Sequence, residues 1–178
     1  PTPTFPWVTM LSSLLCIAVG AIIVASHWSA IPDPVPVHWN ESMEADNWSD
    51  KSIGSVFFSS FAALGMLCLL TIICSFIAHS EVSPRSERSI KARVRNEANL
   101  ALTNTGMGVL TLLISAGMAF MQVTSPIPHY QRFHSTAIIT MLILTIGGSI
   151  GLVVFLLYKQ SRLSEQLRGI HFADEDKE

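Results

Sequence analysis

The chain has 178 residues, of which 49% are hydrophobic and only 13% are charged. Soluble domains usually carry about 25% charged residues, so much of this molecular surface does not face water. The formal net charge is −2, and the basic residues are few and spaced. This charge pattern argues against a nucleic-acid partner.

Four apolar blocks without Lys, Arg, Asp or Glu dominate the chain, at about 7–28, 56–78, 100–122 and 136–158. A helix that crosses the bilayer core needs about 20 apolar residues. Only helices and closed barrels satisfy their backbone groups in hydrocarbon, and barrel strands alternate over about 10 residues. We therefore predict an all-α, polytopic membrane protein, with residues 1–178 forming a single membrane domain. Its four transmembrane helices are expected to form two helical hairpins.

The first block is too long for a signal peptide, whose apolar core has about 7–15 residues. The preceding residues 1–6 also lack the basic side chain of a signal peptide. We therefore expect the first block to be a transmembrane helix.

The basic residues divide unequally among the segments that connect these blocks. The predicted inner loop 79–99 and the tail 159–178 hold nine of the 11 Lys and Arg residues, whereas the predicted outer loops 29–55 and 123–135 hold two. Basic loops remain in the cytoplasm. We therefore predict a multi-pass protein of the cell membrane with both termini cytoplasmic.

The first outer loop contains alternating prolines at Pro32, Pro34 and Pro36. Proline fixes its own φ and biases the preceding residue toward extended geometry. The pattern predicts a stiff, polyproline-like strut over residues 31–37. After it, Asp50 or Ser52 is placed to cap the second helix.

The same loop reads IPDPVPVHWN from residue 31 and continues to Asp46 and Trp48. It resembles the outer-loop motif of a bacterial membrane family of unknown function, roughly L-P-x-x-[VI]-P-x-H-[FW]-N-x-x-G-x-x-D-x-W. That domain is also found at the N-terminus of SdpI-like immunity proteins. The matching residues are Pro32, Val35, Pro36, His38, Trp39, Asn40, Asp46 and Trp48. Met43 stands where the family has glycine, and this departure bears on the turn after Asn40. The resemblance implies a cell-envelope membrane protein, with an immunity role in some relatives only.

The inner loop is predicted to form a polar helix, over residues 83–99, that runs into the third transmembrane segment. Arg88, Lys91 and Arg95 recur in it at helical spacing and form one basic face. We expect this face to contact anionic lipid headgroups. Contact with an acidic partner is the alternative.

The fourth block carries Gly147 and Gly151, a small-xxx-small pair that permits close helix contact. We expect this pair to pack, either within the chain or against a partner.

The outer segments concentrate four histidines, His27, His38, His129 and His134. Imidazole and carboxylate groups bind Zn²⁺ or Cu²⁺, so a metal site between the outer loops is one hypothesis. The spacing does not match a metal motif, so no metal site is assigned. The helices lack the ionisable residues that mark proton and ion pathways, and no catalytic motif occurs. We expect no enzymatic activity and no cofactor.

Three functions are compatible with these features. The first is a non-catalytic accessory subunit of a larger bacterial membrane complex, with a respiratory-chain supercomplex as the specific hypothesis. Its partners would be the lipid bilayer and larger membrane-protein subunits. The second is an SdpI-like immunity or envelope-signalling protein, and the third is a small transporter or metal-handling protein. The candidate partner contacts are Pro32, Pro34, Pro36, His38, Trp39, Asn40, Asp46, Trp48, Arg88, Lys91, Arg95, Gly147 and Gly151.

Overall fold

The computed structural model describes residues 5–79 and 90–168. Its helices are α1 (Trp7–Ser26), α2 (Ile53–Val56), α3 (Phe58–His79), α4 (Ile90–Thr124) and α5 (His134–Arg168). Segments of α1, α3, α4 and α5 are long and apolar enough to cross a membrane. The predictions of four membrane-spanning helices and of contact with the bilayer are confirmed at this level.

Two helices extend well beyond the predicted spans. Both α4 and α5 have 35 residues, which corresponds to about 52 Å at 1.5 Å per residue, against a hydrocarbon core of about 30 Å. Residues 90–99 form the start of α4, so this described part of the inner loop is helical and continuous with the third span. Residues 159–168 likewise continue α5 beyond the fourth span.

The central helix is α4, which packs against α1, α3 and α5. Its glycines permit close approach on two sides. A Cβ atom at Gly106 would collide with Leu152 of α5, and one at Gly108 would collide with Thr9 of α1. These positions therefore tolerate no larger residue without a shift of the neighbouring side chain or helix.

The path from α2 to α3 is interrupted at Phe57. In a continuous helix the Ser60 amide would donate to the Val56 carbonyl, four residues earlier. Here the side chain of Gln122 in α4 lies between the two groups. Its Nε2 donates to the Val56 carbonyl and its Oε1 accepts from the Ser60 amide, both at 2.9 Å. Such an insertion is a known cause of a helix kink.

Helix α2 begins at Ile53, before the predicted start of the second apolar block at residue 56, because Ser52 caps it. The Ser52 hydroxyl accepts from the Ser55 amide at 3.1 Å, and the Ser55 hydroxyl accepts from the Ser52 amide at 3.0 Å. This reciprocal pair is a capping box. Of the two predicted caps, Ser52 is therefore the one that the structure uses.

The prediction of an all-α chain is wrong for the first outer loop. Strands β1 (Val35–Trp39) and β2 (Ala45–Ser49) form an antiparallel pair with irregular register at His38. We call residues 35–49 the outer hairpin. The predicted polyproline strut is also wrong beyond residue 34, because the backbone groups of β1 find partners in β2 instead of water.

Candidate functional site

The outer hairpin stands on a buried apolar base. Ile31 and Val35 are 3% and 1% exposed. They belong to a cluster with Val24 of α1, Val56 of α2 and Ile127 of the second outer loop. Since these residues come from four separate segments, the base fixes the hairpin relative to the helix ends.

Lys51 forms a second attachment that sequence reasoning missed. Its Nζ donates to the Trp28 and Ile31 carbonyls, both at 2.7 Å, just after the end of α1. The ammonium also lies 5.0 Å from the centroid of the Trp28 ring, a cation–π distance. Its own backbone amide donates to Asp33 Oδ1 at 3.0 Å. The only signal in the sequence was a single basic residue in an acidic outer loop.

The tip of the outer hairpin is a turn built on Asn40. The Asn40 Oδ1 accepts from the amides of Ser42 and Glu44, at 2.9 and 3.0 Å. Met43 has a φ of 60°, in the left-handed region that favours glycine. The turn therefore forms in this chain with methionine in a backbone conformation that favours glycine.

Replacing Met43 with glycine is expected to stabilise the protein by about 0.5–1 kcal/mol. A left-handed conformation costs an L-residue about 1–2 kcal/mol, and glycine avoids this cost. Part of the stabilisation is lost because glycine gives up more backbone entropy on folding. Thermal unfolding in a mild detergent checks the sign. Glu44→Gly is the matched control, since Glu44 lies beside Met43 and is not left-handed, and we expect it to destabilise. A lower melting temperature for both variants would contradict this account.

His38 and Asp46 pair across the outer hairpin. The distance between His38 Nδ1 and Asp46 Oδ1 is 2.5 Å, and the two side chains are 64% and 41% exposed. Exposed ion pairs contribute little to stability. Pro36 lies opposite Trp48 in the same hairpin. His38 and Asp46, like Pro36 and Trp48, are thus partners across the two strands of the hairpin.

Trp39 connects the outer hairpin to the second outer loop. Its ring lies against His134, with 4.0 Å between the ring centroids and 40° between the planes. His134 begins α5, is 3% exposed, and its Nδ1 lies 3.1 Å from Thr124 Oγ1 at the end of α4. This contact brings together two residues of the outer loops that are far apart in sequence.

The other candidate residues do not join this site. Pro32 and Pro34 are exposed on the approach to β1, and Lys91 and Arg95 lie at the opposite end of α4, where the side chain of Arg95 is exposed. Arg88 lies outside the described residues. Gly147 and Gly151 face open space in α5, because a Cβ at either position would have no neighbour within 4 Å. The expected packing of this pair inside the chain is therefore not found among the described residues, and packing against a partner stays a prediction.

The four outer histidines do not converge. His27 Nδ1 lies 2.8 Å from the Ile23 carbonyl, and the exposed His129 packs beside Tyr130. Within residues 5–79 and 90–168, no three His, Cys, Asp or Glu side chains lie close enough to hold a metal ion.

Below the outer hairpin lies a cavity of about 600 Å³. It is bounded by β1, by the start of α3, by the end of α4 and by the start of α5. Gln122 and His134 are among its lining residues. The hairpin, its base and this cavity form one outer site.

Residues 14–63 match the model of a family described as Domain of unknown function (DUF1648). The match covers under a third of the chain, from within α1 to within α3, and contains the whole outer hairpin. It confirms a resemblance to a domain family of unknown function, while the detailed motif and the SdpI-like link remain predictions. Searches of curated proteins and of solved structures found no match. The DUF1648 segment thus supplies the hairpin and most of its base, whereas Gln122 and His134 come from outside it.

Proposed function

We propose that the chain is a non-catalytic accessory subunit of a larger membrane complex in a bacterial cell membrane. The outer hairpin is its main docking surface. A respiratory-chain supercomplex is the first complex to test. Both termini lie in the cytoplasm in this proposal, supported by the unequal distribution of Lys and Arg.

The observation that carries the proposal is the exposure of three apolar side chains on a hairpin whose base is buried. Trp48 is 50% exposed, Val37 is 40% exposed and Met43 is 38% exposed. Tryptophan and methionine are enriched at protein interfaces, and tryptophan is a frequent hot spot. Because the base of the hairpin is buried and Lys51 ties it to α1, docking would cost little ordering entropy.

The outer face of α5 supports a second contact inside the membrane. Gly147 and Gly151 lie one turn apart without a neighbour, and the adjacent Ile143 and Ile150 are 64% and 60% exposed. A groove of small residues flanked by branched ones allows another helix to approach closely.

Co-purification in mild detergent tests the proposal. The tagged chain is expected to bring larger membrane subunits from its own organism, and Trp48→Ala and Gly147→Ile/Gly151→Ile are expected to reduce the yield of those subunits. Trp7→Ala is the control, because Trp7 is 66% exposed at the other end of α1. Solitary migration of the wild-type chain would contradict the proposal. A deletion strain that becomes sensitive to a secreted peptide, with no complex lost, would favour the immunity hypothesis.

Cysteine labelling in intact cells tests the orientation. In a background without Cys16, Cys68 and Cys74, we expect an impermeant maleimide to label Glu44→Cys but not Ser164→Cys. The reason is that Glu44 lies in the outer hairpin and Ser164 in the proposed cytoplasmic end of α5. Permeabilised cells provide the control, since both variants should then react. The reverse pattern in intact cells would overturn the proposed orientation.

A further inference from the structure

The cavity below the outer hairpin has the size of a small-molecule site. Its volume is about 600 Å³, within the range of about 300–1,000 Å³ that is usual for ligand pockets. Phe58 lines one side and is 70% exposed at the start of a membrane-spanning helix. The cavity therefore adjoins the surface that faces lipid, and a molecule could enter it from the outer part of the bilayer.

His134 supplies a specific hydrogen-bonding requirement. Thr124 Oγ1 lies 3.0 Å from the Phe120 carbonyl and 3.3 Å from the Met121 carbonyl, so its only proton is donated to the helix backbone. The same oxygen must then accept from His134 Nδ1–H, at 3.1 Å. In the neutral ring this leaves Nε2 as an acceptor.

That acceptor is buried and has no partner. His134 is 3% exposed, and its Nε2 makes no hydrogen bond within the part of the chain that the structure describes. Buried polar atoms are nearly always paired, and an exception calls for an explanation. A hydrogen-bond donor that is not part of these residues would complete the site.

The rest of the lining indicates the class of ligand. Among the residues that line the cavity, all from the described segments, none is Lys, Arg, Asp or Glu. An ionic headgroup would therefore lack a strong counter-charge, with His38 already paired to Asp46. Phe58, Met121 and Ile138 offer apolar surface, and Ser59 and Ser125 add hydroxyls. This combination suits an uncharged amphiphile with a hydroxyl head.

We propose that this cavity binds an uncharged membrane amphiphile whose hydroxyl group donates to His134 Nε2. Trp39 packs on the imidazole, and Nε2 has essentially no accessible surface. The ligand therefore reaches Nε2 by displacing the Trp39 side chain, while the buried base keeps the hairpin backbone in place. This inference is independent of the proposed complex, because the purified chain alone would bind the ligand.

The test uses the full chain in phosphatidylcholine nanodiscs, since that headgroup has no hydroxyl donor. Dioctanoylglycerol is the probe, and its acetylated form, which lacks the hydroxyl, is the matched control. We expect a saturable change in tryptophan fluorescence with the first lipid only, and none in Trp39→Phe. His134→Leu should weaken binding by at least about tenfold, the loss expected when a ligand hydroxyl has no acceptor.

His134→Gln should restore most of the affinity, because its amide oxygen offers an acceptor near the position of Nε2. If His134→Leu does not fold, Ile138→Trp must abolish the response by filling the cavity with His134 intact. The proposal would be overturned by equal affinity for both lipids or by the absence of a saturable signal. Unchanged affinity in His134→Leu, or in Ile138→Trp if the first variant does not fold, would also overturn it. Because no partner subunit is present, failure here leaves the co-purification result unaffected.

Discussion

Replacing Gln122 with leucine is expected to lower the free energy of unfolding by about 2–4 kcal/mol, because it leaves a buried donor and a buried acceptor unpaired at about 1–3 kcal/mol each. The donor is the Ser60 amide and the acceptor is the Val56 carbonyl, each 2.9 Å from the Gln122 amide group. Gln122 itself is 2% exposed. Ser60 and Val56 are 6% and 4% exposed, so the two groups that lose their partner are largely buried.

Two measurements check this expectation together. Thermal unfolding in detergent should show a lower melting temperature, and hydrogen exchange should show faster exchange at the Ser60 amide. Gln166→Leu is the matched control because Gln166 is exposed near the end of α5, and it should change neither quantity. An unchanged melting temperature with a protected Ser60 amide would mean that Ser60 bonds directly to Val56 and that the kink does not depend on Gln122.

Replacing Lys51 with methionine is expected to cost about 2 kcal/mol, since hydrogen bonds from a charged group contribute about 1.5–3 kcal/mol and this side chain is only partly buried. Methionine keeps the apolar stem but loses both bonds to the Trp28 and Ile31 carbonyls. Both carbonyls lie just beyond the end of α1, and after the replacement the Trp28 carbonyl keeps, within the described residues, only its bond from the Ile31 amide, at 3.2 Å. The connection between α1 and the outer hairpin should loosen.

Limited proteolysis within residues 35–49 and the melting temperature provide the two readouts for Lys51→Met. Lys159→Met is the control, because the Lys159 ammonium also lies over an aromatic ring, at 5.8 Å from the Phe155 centroid. Lys159 lies near the C-terminal end of α5, whereas the outer hairpin contacts the N-terminal end of this helix. We expect the control to resist proteolysis like the wild type. Equal behaviour of the two variants would show that the Lys51 bonds do not hold the hairpin.

The four spanning helices could be predicted because the bilayer imposes a single requirement. Backbone groups in hydrocarbon must be paired within the segment, so a charge-free apolar block of sufficient length becomes a helix. The block at 7–28 corresponds to α1, which ends at Ser26. The early end arises where the chain enters a short 3₁₀ turn at 28–30, a detail that composition does not encode.

The outer hairpin could not be predicted because its causes are non-local. The alternating prolines correctly favoured extended backbone, but pairing depends on β2, whose sequence Ala45–Ser49 has no strong strand pattern. Met43 gave no sign of a left-handed turn, since methionine rarely adopts one. The pattern that the sequence resembles has glycine at that position, which is compatible with such a turn.

The outer cavity was also beyond sequence reasoning. Gln122 and Ser60 are 62 positions apart, so no local spacing connects them. His134 was noted only as one of four outer histidines, in the hypothesis of a metal site between the outer loops. Its contacts with Trp39 and Thr124 come from the packing of α4, α5 and the hairpin.

Site-specific photo-crosslinking from the outer hairpin tests the central claim, that this hairpin docks onto another membrane protein. A photoreactive phenylalanine at position 48 is introduced into the chain in its own organism, with the same residue at exposed position 162 as the control. We predict a discrete adduct from position 48 that contains a second membrane protein, and its loss when that complex is dissociated before illumination. Adducts from position 48 with lipid alone, at any level of expression, would contradict the account.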